Sequence, residues 1–390
     1  MRRVPNWLVI AGALCLLAAA CGDSDAPGDG GAASTAPSMI SSIGEGEGEL
    51  NLVAWANYTE KSWVKPFEDE TGCKVNVTYG NTSDEMVNLM RQNDGADFDG
   101  VSASGDASNR LIAAGDVAPI DTSLFPDFAD VMTTLQSPPH NTVDGVHYGV
   151  PYMWGPNFLM YNTDVVDPAP TSWDVVFETD SPYAGRITAY DSPIYIADAA
   201  LYLKTHNPEL NITDPYELTE DQLNAAVDLL KQQASMINKY WAIWSDEVDG
   251  FDAGDMVVGT AWPGNQAYVT KVPVDNVNPS EGVTGWADTW MMSSNAQNPN
   301  CMLMWMEYTL RPEVQVEVAE FYGATPSNTA SCDQLNKDLG DAADFYHCGD
   351  DTYLQDIALW KTPLATCGDE RGDICMDYTV WTEKWQEIRG

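Results

Sequence analysis

Three short stretches place aromatic rings and a carboxylate where an alkyl cation could be held. "EGVTGWADTWMM", residues 281–292, sets Asp288 between Trp286 and Trp290, and Trp286 and Asp288 share one side of the chain if it is extended. "VAWANYTE" supplies Trp55 and Tyr58 just past a strand, and "GTAWPGNQAY" supplies Trp262 after another. An ammonium taken out of water needs a carboxylate, and the methylenes beside it need something flat. Charge-assisted hydrogen bonds meet the first need, and indole or phenol faces the second, at about 0.5–2 kcal/mol per cation-π contact. One such cluster alone reads as core packing; three at strand ends point to a platform for a ligand.

This chemistry is retention rather than conversion, so the chain reads as a non-catalytic protein without a cofactor. Asp191 paired with Asp288 would suit a hydrolase that uses two acids, but no nucleophile or metal motif accompanies them. His140, His147, His206 and His347 are scattered without ligand spacing, so no metal site is expected. The glycine-rich phosphate loops are missing as well.

The elements that must position these residues alternate. "ELNLVAW" reads as a strand, and "TSDEMVNLMRQ" as a helix with Thr82 and Glu85 spaced as a capping box. Leu223, Ala226, Val227 and Leu230 line one helical face. "NPNCMLMWMEYTLRPEVQVEVAEFYG" predicts two helices broken at Pro312. Alternating strands and helices predict α/β lobes with mainly parallel sheets and a ligand cleft at the strand carboxyl ends. With 390 residues the chain is long enough for two lobes.

Eighteen basic residues against 59 acidic ones give a formal charge of -41, which repels nucleic-acid phosphates. Charge spread over a whole chain describes a solvated surface or a saline habitat better than it describes a site. The N-terminus "MRRVPNWLVIAGALCLLAAAC" has the layout of a secretory signal, and the cysteine after "AAA" resembles a bacterial lipobox with Cys21 as the lipidated residue. Residues 22–48 are Gly, Ser, Ala, Pro and acid, and read as a flexible tether from membrane to folded domain. Beyond Cys15 and Cys21 six cysteines remain, with no C-x-x-C pair, so disulfides are expected in an exported chain. Six cysteines allow 15 pairings. Pairing close neighbours joins Cys332 to Cys348 and Cys367 to Cys375, and leaves Cys73 for Cys301.

From about Leu50 to about Gln355 the chain resembles the periplasmic polyamine-binding proteins of ABC transporters. The frame is "PFEDETGCKVNVTY", "AAGDVAPID", "YGVPYMWG", "PTSWDVVF", "YAGRI", "GTAWPGN", "EGVTGWADTWMM" and "YTLRPEVQVEVAEFYGATPSN". The resemblance implies a two-lobed type II periplasmic-binding fold with the ligand in the interlobe cleft. Lobe 1 would take residues 49–150 and 287–328, and lobe 2 would take 151–286 and 329–390, with the segment 150–155 at the crossover. Trp55 and Tyr58 match the aromatic pair after the first strand, Trp262 and Trp286 the indoles that sandwich the alkyl chain, and Asp288 the amine clamp. Asp191 matches the first acid of a second clamp, and Gln355 a glutamine that hydrogen-bonds the ligand. The departures are Ile194 at the second acid of that clamp, Ala324 where a tyrosine is expected, and Ala56 and Asn57 for a polar pair. Asp106 falls near another aromatic position, where a carboxylate could replace a lost one. The resemblance implies a monomeric, lipid-anchored receptor at the periplasm or cell surface that passes a putrescine- or spermidine-like cation to an ABC permease. A polyamine sensor coupled to a membrane signalling protein, or a relative that takes iron, thiamine or a sugar, would share the frame.

Overall fold

The computed structural model describes residues 39–390. The signal segment 1–21, Cys21 and the first part of the expected tether therefore lie outside the described residues.

Two sheets organise the chain. The larger has seven strands: β1 (Glu49–Trp55), β2 (Lys74–Gly80), β3 (Gly100–Ala103), β4 (Val150–Pro156), β10 (Thr284–Met292), β11 (Thr325–Pro326) and β12 (Ala358–Leu359). Their order is β11-β4-β10-β3-β1-β2, with β12 added along β10. The smaller sheet has five strands in the order β9-β5-β8-β6-β7, which are Val274–Val277, Phe158–Asn162, Val258–Ala261, Ile187–Tyr190 and Ile237–Trp241. β1 runs parallel to β2 and β3, while β10 runs antiparallel to β3 and β4. Every residue of β4, β5 and β10 is buried, as expected of strands covered on both faces.

β4 and β10 belong wholly to the larger sheet, and the chain leaves that sheet at Asn157 and re-enters it at Thr284. The two passages lie side by side: the Asn157 backbone N–H and Nδ2 donate to the Thr284 carbonyl and Oγ1, each at 2.8 Å. The return passage is clamped to the second lobe. Ser280 donates its N–H to the Thr171 carbonyl, and the Trp173 indole donates to the Gly282 carbonyl.

Local signals act largely as read, with informative differences. Thr82 caps its helix by accepting from the Glu85 N–H, but the Glu85 carboxylate accepts from Asn81 instead of closing the box. The reciprocal capping box is at Thr219 and Gln222. Pro312 does divide two helices, Pro299–Leu310 and Pro312–Tyr322, because the residue before a proline is pushed out of helical backbone and Arg311 is extended. The last residues of the expected tether, 39–48, are docked rather than free. Ile40 and Ile43 pack on the core, and the Glu47 carboxylate accepts from the Asn300 and Cys301 N–H groups at a helix start. Bare N–H groups at a helix N-terminus favour an anion there.

The disulfides are Cys73–Cys301, Cys332–Cys348 and Cys367–Cys375. The tail does not follow one lobe. The helix Cys332–Leu339 packs on Pro312–Tyr322, and β12 joins the larger sheet, whereas the final helix Tyr378–Arg389 lies against Glu220–Ala234 of the second lobe. Among the described residues no helix is long and apolar enough to cross a membrane.

Four buried acids make the fold pH-sensitive. Burial pushes Asp106 up to about 6 and Asp198 and Asp288 up to about 7, and it raises Glu247 as well. Between their ordinary values near 4 and these values the folded chain holds more protons than the unfolded chain, so stability falls as pH rises through that window. His140, which burial pushes down to about 4, opposes this as the one buried imidazole against four acids. Carboxylates held low by partners, such as Glu217 beside Lys361, lose their contribution only when acid reaches the ordinary carboxylate range. The expected outcome is a melting temperature that is highest near pH 5 and falls by pH 8, measured by calorimetry on the unliganded protein. A curve that rises from pH 5 to 8 would contradict it.

Candidate functional site

The turn after β1 is the first piece of the site. Asn57 adopts a positive φ of 72°, which asparagine tolerates, and the Tyr58 N–H returns to the Trp55 carbonyl at 3.2 Å. That tight turn presents both Trp55 and Tyr58, and the Trp63 indole holds it by donating to the Tyr58 carbonyl. Ser104 follows β3 at the start of the helix Gly105–Ala114. Trp262 follows β8 directly, and Trp286 and Asp288 come from β10 itself. The pairing of β10 with β4 slips by one residue between Ala287 and Thr289, an irregularity of the kind that re-aims side chains at sites.

These residues meet in one cavity of about 10 Å³, lined by Trp55, Tyr58, Ser104, Trp262, Trp286, Asp288, Tyr322 and Trp360. That is room for about one water, so anything larger enters only if the lobes part or rings move. Trp55 meets Trp262 edge-on with centroids 6.1 Å apart, and Tyr190 stacks on Trp360 behind them at 5.7 Å. Asp288 is 3% exposed. Tyr58 donates its hydroxyl to Oδ2 at 2.6 Å, and Ser104 donates to Oδ1. Burial drives the Asp288 carboxyl up to about 7, the charge of Asp106 adds to this, and the two hydroxyls oppose it. Burial and the Asp288 charge hold Tyr58 protonated. Near neutrality the site thus offers a carboxylate of high proton affinity walled by aromatic faces, which a bound cation would stabilise in its ionised form.

A family model described as bacterial extracellular solute-binding protein matches residues 62–343. The chain belongs to this family. Over 346 residues this solute-binding protein is 26% identical to the spermidine/putrescine-binding periplasmic protein of Escherichia coli K12, which covers 87% of this chain and 91% of the relative. The solved spermidine/putrescine ABC transporter substrate-binding protein PotD of Streptococcus pneumoniae matches it with a TM-score of 0.67 at 17% identity, covering 87% of this chain and 97% of that one. MotA of A. tumefaciens B6, solved in complex with glucopine, matches with a TM-score of 0.67 at 15% identity, covering 88% and 100%. The fold is that of the two-lobed periplasmic binding proteins.

Five residues expected in the site of this solute-binding protein line the cavity: Trp55, Tyr58, Trp262, Trp286 and Asp288. Asn57 shapes the turn without lining it. Asp106 is buried beside it, with Oδ1 accepting from the Ser83 hydroxyl at 2.8 Å. Asp191 and Gln355 are elsewhere. The Asp191 carboxylate accepts from the Trp385 indole and from Arg389, both at 3.1 Å, so the final helix has taken it. Gln355 is exposed and reaches only Thr134. With Asp191 committed to Arg389, it forms no acid pair with Asp288. Trp290 packs in the core against Tyr152 and Trp305.

Three lining residues were missed. Ser104 had a signal, a serine between a strand and a helix. Tyr322 ends a helix two residues before Ala324, and brings a phenol near where one was expected. Trp360 comes from the disulfide-bonded tail, where no local pattern marked it. Asp174, His206 and Glu281 also come within 4.8 Å of one another, a grouping that sequence spacing hid because His206 and Glu281 are 75 residues apart. His206 Nε2 lies 2.8 Å from Glu281, whose carboxylate also accepts from Ser172, so this group ties the return passage to the second lobe.

Proposed function

We propose that this protein captures a small alkyl-ammonium ligand of the polyamine class between its lobes and delivers it to an ABC permease. In this reading it is a monomer tethered outside the cytoplasm through a lipid on Cys21, and it catalyses no reaction. The observation that carries the reading is Asp288, a carboxylate buried among Trp55, Trp262, Trp286 and Trp360 and oriented by Tyr58 and Ser104. Closure removes water, which strengthens both the ion pair and the cation-π contacts. The names of relatives such as the Escherichia coli spermidine/putrescine-binding protein support the ligand class.

Titration calorimetry with putrescine, spermidine, norspermidine and maltose tests the reading, with micromolar or tighter binding of an amine expected. Heat with maltose alone would sink it. The same titration carries a pH signature. A proton and an ammonium compete for Asp288, whose carboxyl burial pushes up to about 7. Affinity is expected to be flat above that pH and to fall below it, by up to about tenfold per unit. Affinity that rises on acidification would remove Asp288 from the role.

A further inference from the structure

We propose that the indole N–H groups of the cavity-lining tryptophans receive a hydrogen-bond acceptor and not a second ammonium, so that the preferred ligand is a mono-N-acylated diamine. This rests on the ammonium-capture reading and narrows it.

Among the described residues that line the cavity, Asp288 is the sole carboxylate. The other candidate clamp, Asp191, is neutralised by Arg389, whose guanidinium also sits 4.2 Å over the Tyr240 ring. Ile194, in the turn that follows Asp191, is fully buried and apolar. Three of the lining residues carry donors left without partners. The indole N–H groups of Trp55, Trp286 and Trp360 are buried without a hydrogen-bond partner, and each of these residues is more than nine-tenths buried. Trp360 is pinned there, because its backbone N–H donates to the Gly285 carbonyl at 2.7 Å and its carbonyl lies against Gly105, where a Cβ would come within 1.7 Å.

An ammonium is a donor with no acceptor capacity, so placed among indole N–H groups it would be a buried, unpaired charge. An amide or carboxylate oxygen would satisfy those donors instead. Between the two, the amide fits better. Among the described residues no lysine or arginine lines the cavity to balance a ligand carboxylate, and buried Asp106 already adds negative potential at Asp288. A mono-acylated diamine keeps one ammonium for Asp288 and a neutral oxygen for the indoles.

Calorimetry on the full folded chain with N-acetylputrescine, putrescine, butylamine and 4-aminobutanoate tests this. N-acetylputrescine is expected to bind at least about tenfold more tightly than either putrescine or butylamine. Trp360→Phe, which keeps a ring and removes the N–H, is expected to narrow the ratio between N-acetylputrescine and butylamine. Putrescine binding as tightly as N-acetylputrescine overturns the inference and leaves ammonium capture standing, with Asp106 as the second clamp. Tighter binding of 4-aminobutanoate overturns the acyl assignment. Absence of binding by every amine overturns both readings.

Discussion

Asp288→Asn is expected to weaken binding of any amine by roughly 30- to 5,000-fold, the range that follows from about 2–5 kcal/mol for removing one partner of a buried charge pair. The substitution keeps the shape of the side chain and leaves the indole platform in place, so the loss reports the charge. Stability should move the other way. At pH 8 the wild-type protein buries an ionised carboxylate that burial drives up to about 7, and asparagine removes that penalty. The melting temperature of the unliganded variant at pH 8 is therefore expected to match or exceed that of the wild type. Trp290→Phe provides the contrast: its ring is fully buried against Tyr152 and Trp305, away from the cavity, so it should lower stability and change affinity little. Titration calorimetry paired with thermal melts separates the two. Equal affinity losses in both variants would mean that Asp288 is not the clamp.

The second large effect is expected from Gly264→Ala, a position that does not itself line the cavity. Gly264 follows Trp262 on the second lobe, and the Tyr322–Gly323 backbone of the first lobe lies directly against it. A Cβ at Gly264 would fall 2.1 Å from the Tyr322 carbonyl oxygen, and Gly323, at φ +76°, faces it with its own Cα. These are backbone atoms and cannot rotate aside. Gly264 itself has φ -70° and ψ -21°, which suits alanine, so the second lobe should fold unchanged. The lobes would then stop short of full contact, with Trp262 held away from Trp55. Affinity is expected to drop about 10- to 100-fold, mostly through faster dissociation, while the unliganded melting temperature moves little. Stopped-flow tryptophan fluorescence gives the rates, and small-angle scattering with ligand gives the closure. Unchanged dissociation would show that the glycine contact is not what closes the cleft.

Much of the site was legible because its information is local. Trp286 and Asp288 are two apart in a buried strand, Trp55 ends β1, Tyr58 lies in the turn after it, and Trp262 directly follows β8; strand periodicity and strand ends fix such directions within a few residues. Pro312 and the cysteine spacing acted at the same short range or through unmistakable chemistry. Asp191 shows where this stops. The resemblance implied a clamp at Asp191, yet its partners Trp385 and Arg389 come from the chain end, 194 and 198 residues away. No pattern around Asp191 could announce that a distant helix would neutralise it.

The same limit explains Trp360 and Gln355. Both lie in the tail, one walling the cavity and the other facing solvent. The place of Trp360 was set by β12 docking along β10, where the Trp360 N–H meets the Gly285 carbonyl, and Gln355 ends the helix before that strand. Residue order alone therefore determined the strand–helix alternation, the aromatic platform and the primary carboxylate, since propensity, periodicity and side-chain type reside in neighbouring residues. Only the tertiary structure decided how many charges the cavity offers. Charge is cancelled by whichever group packs beside it, and here that group is Arg389, carried onto Asp191 by the packing of the final helix.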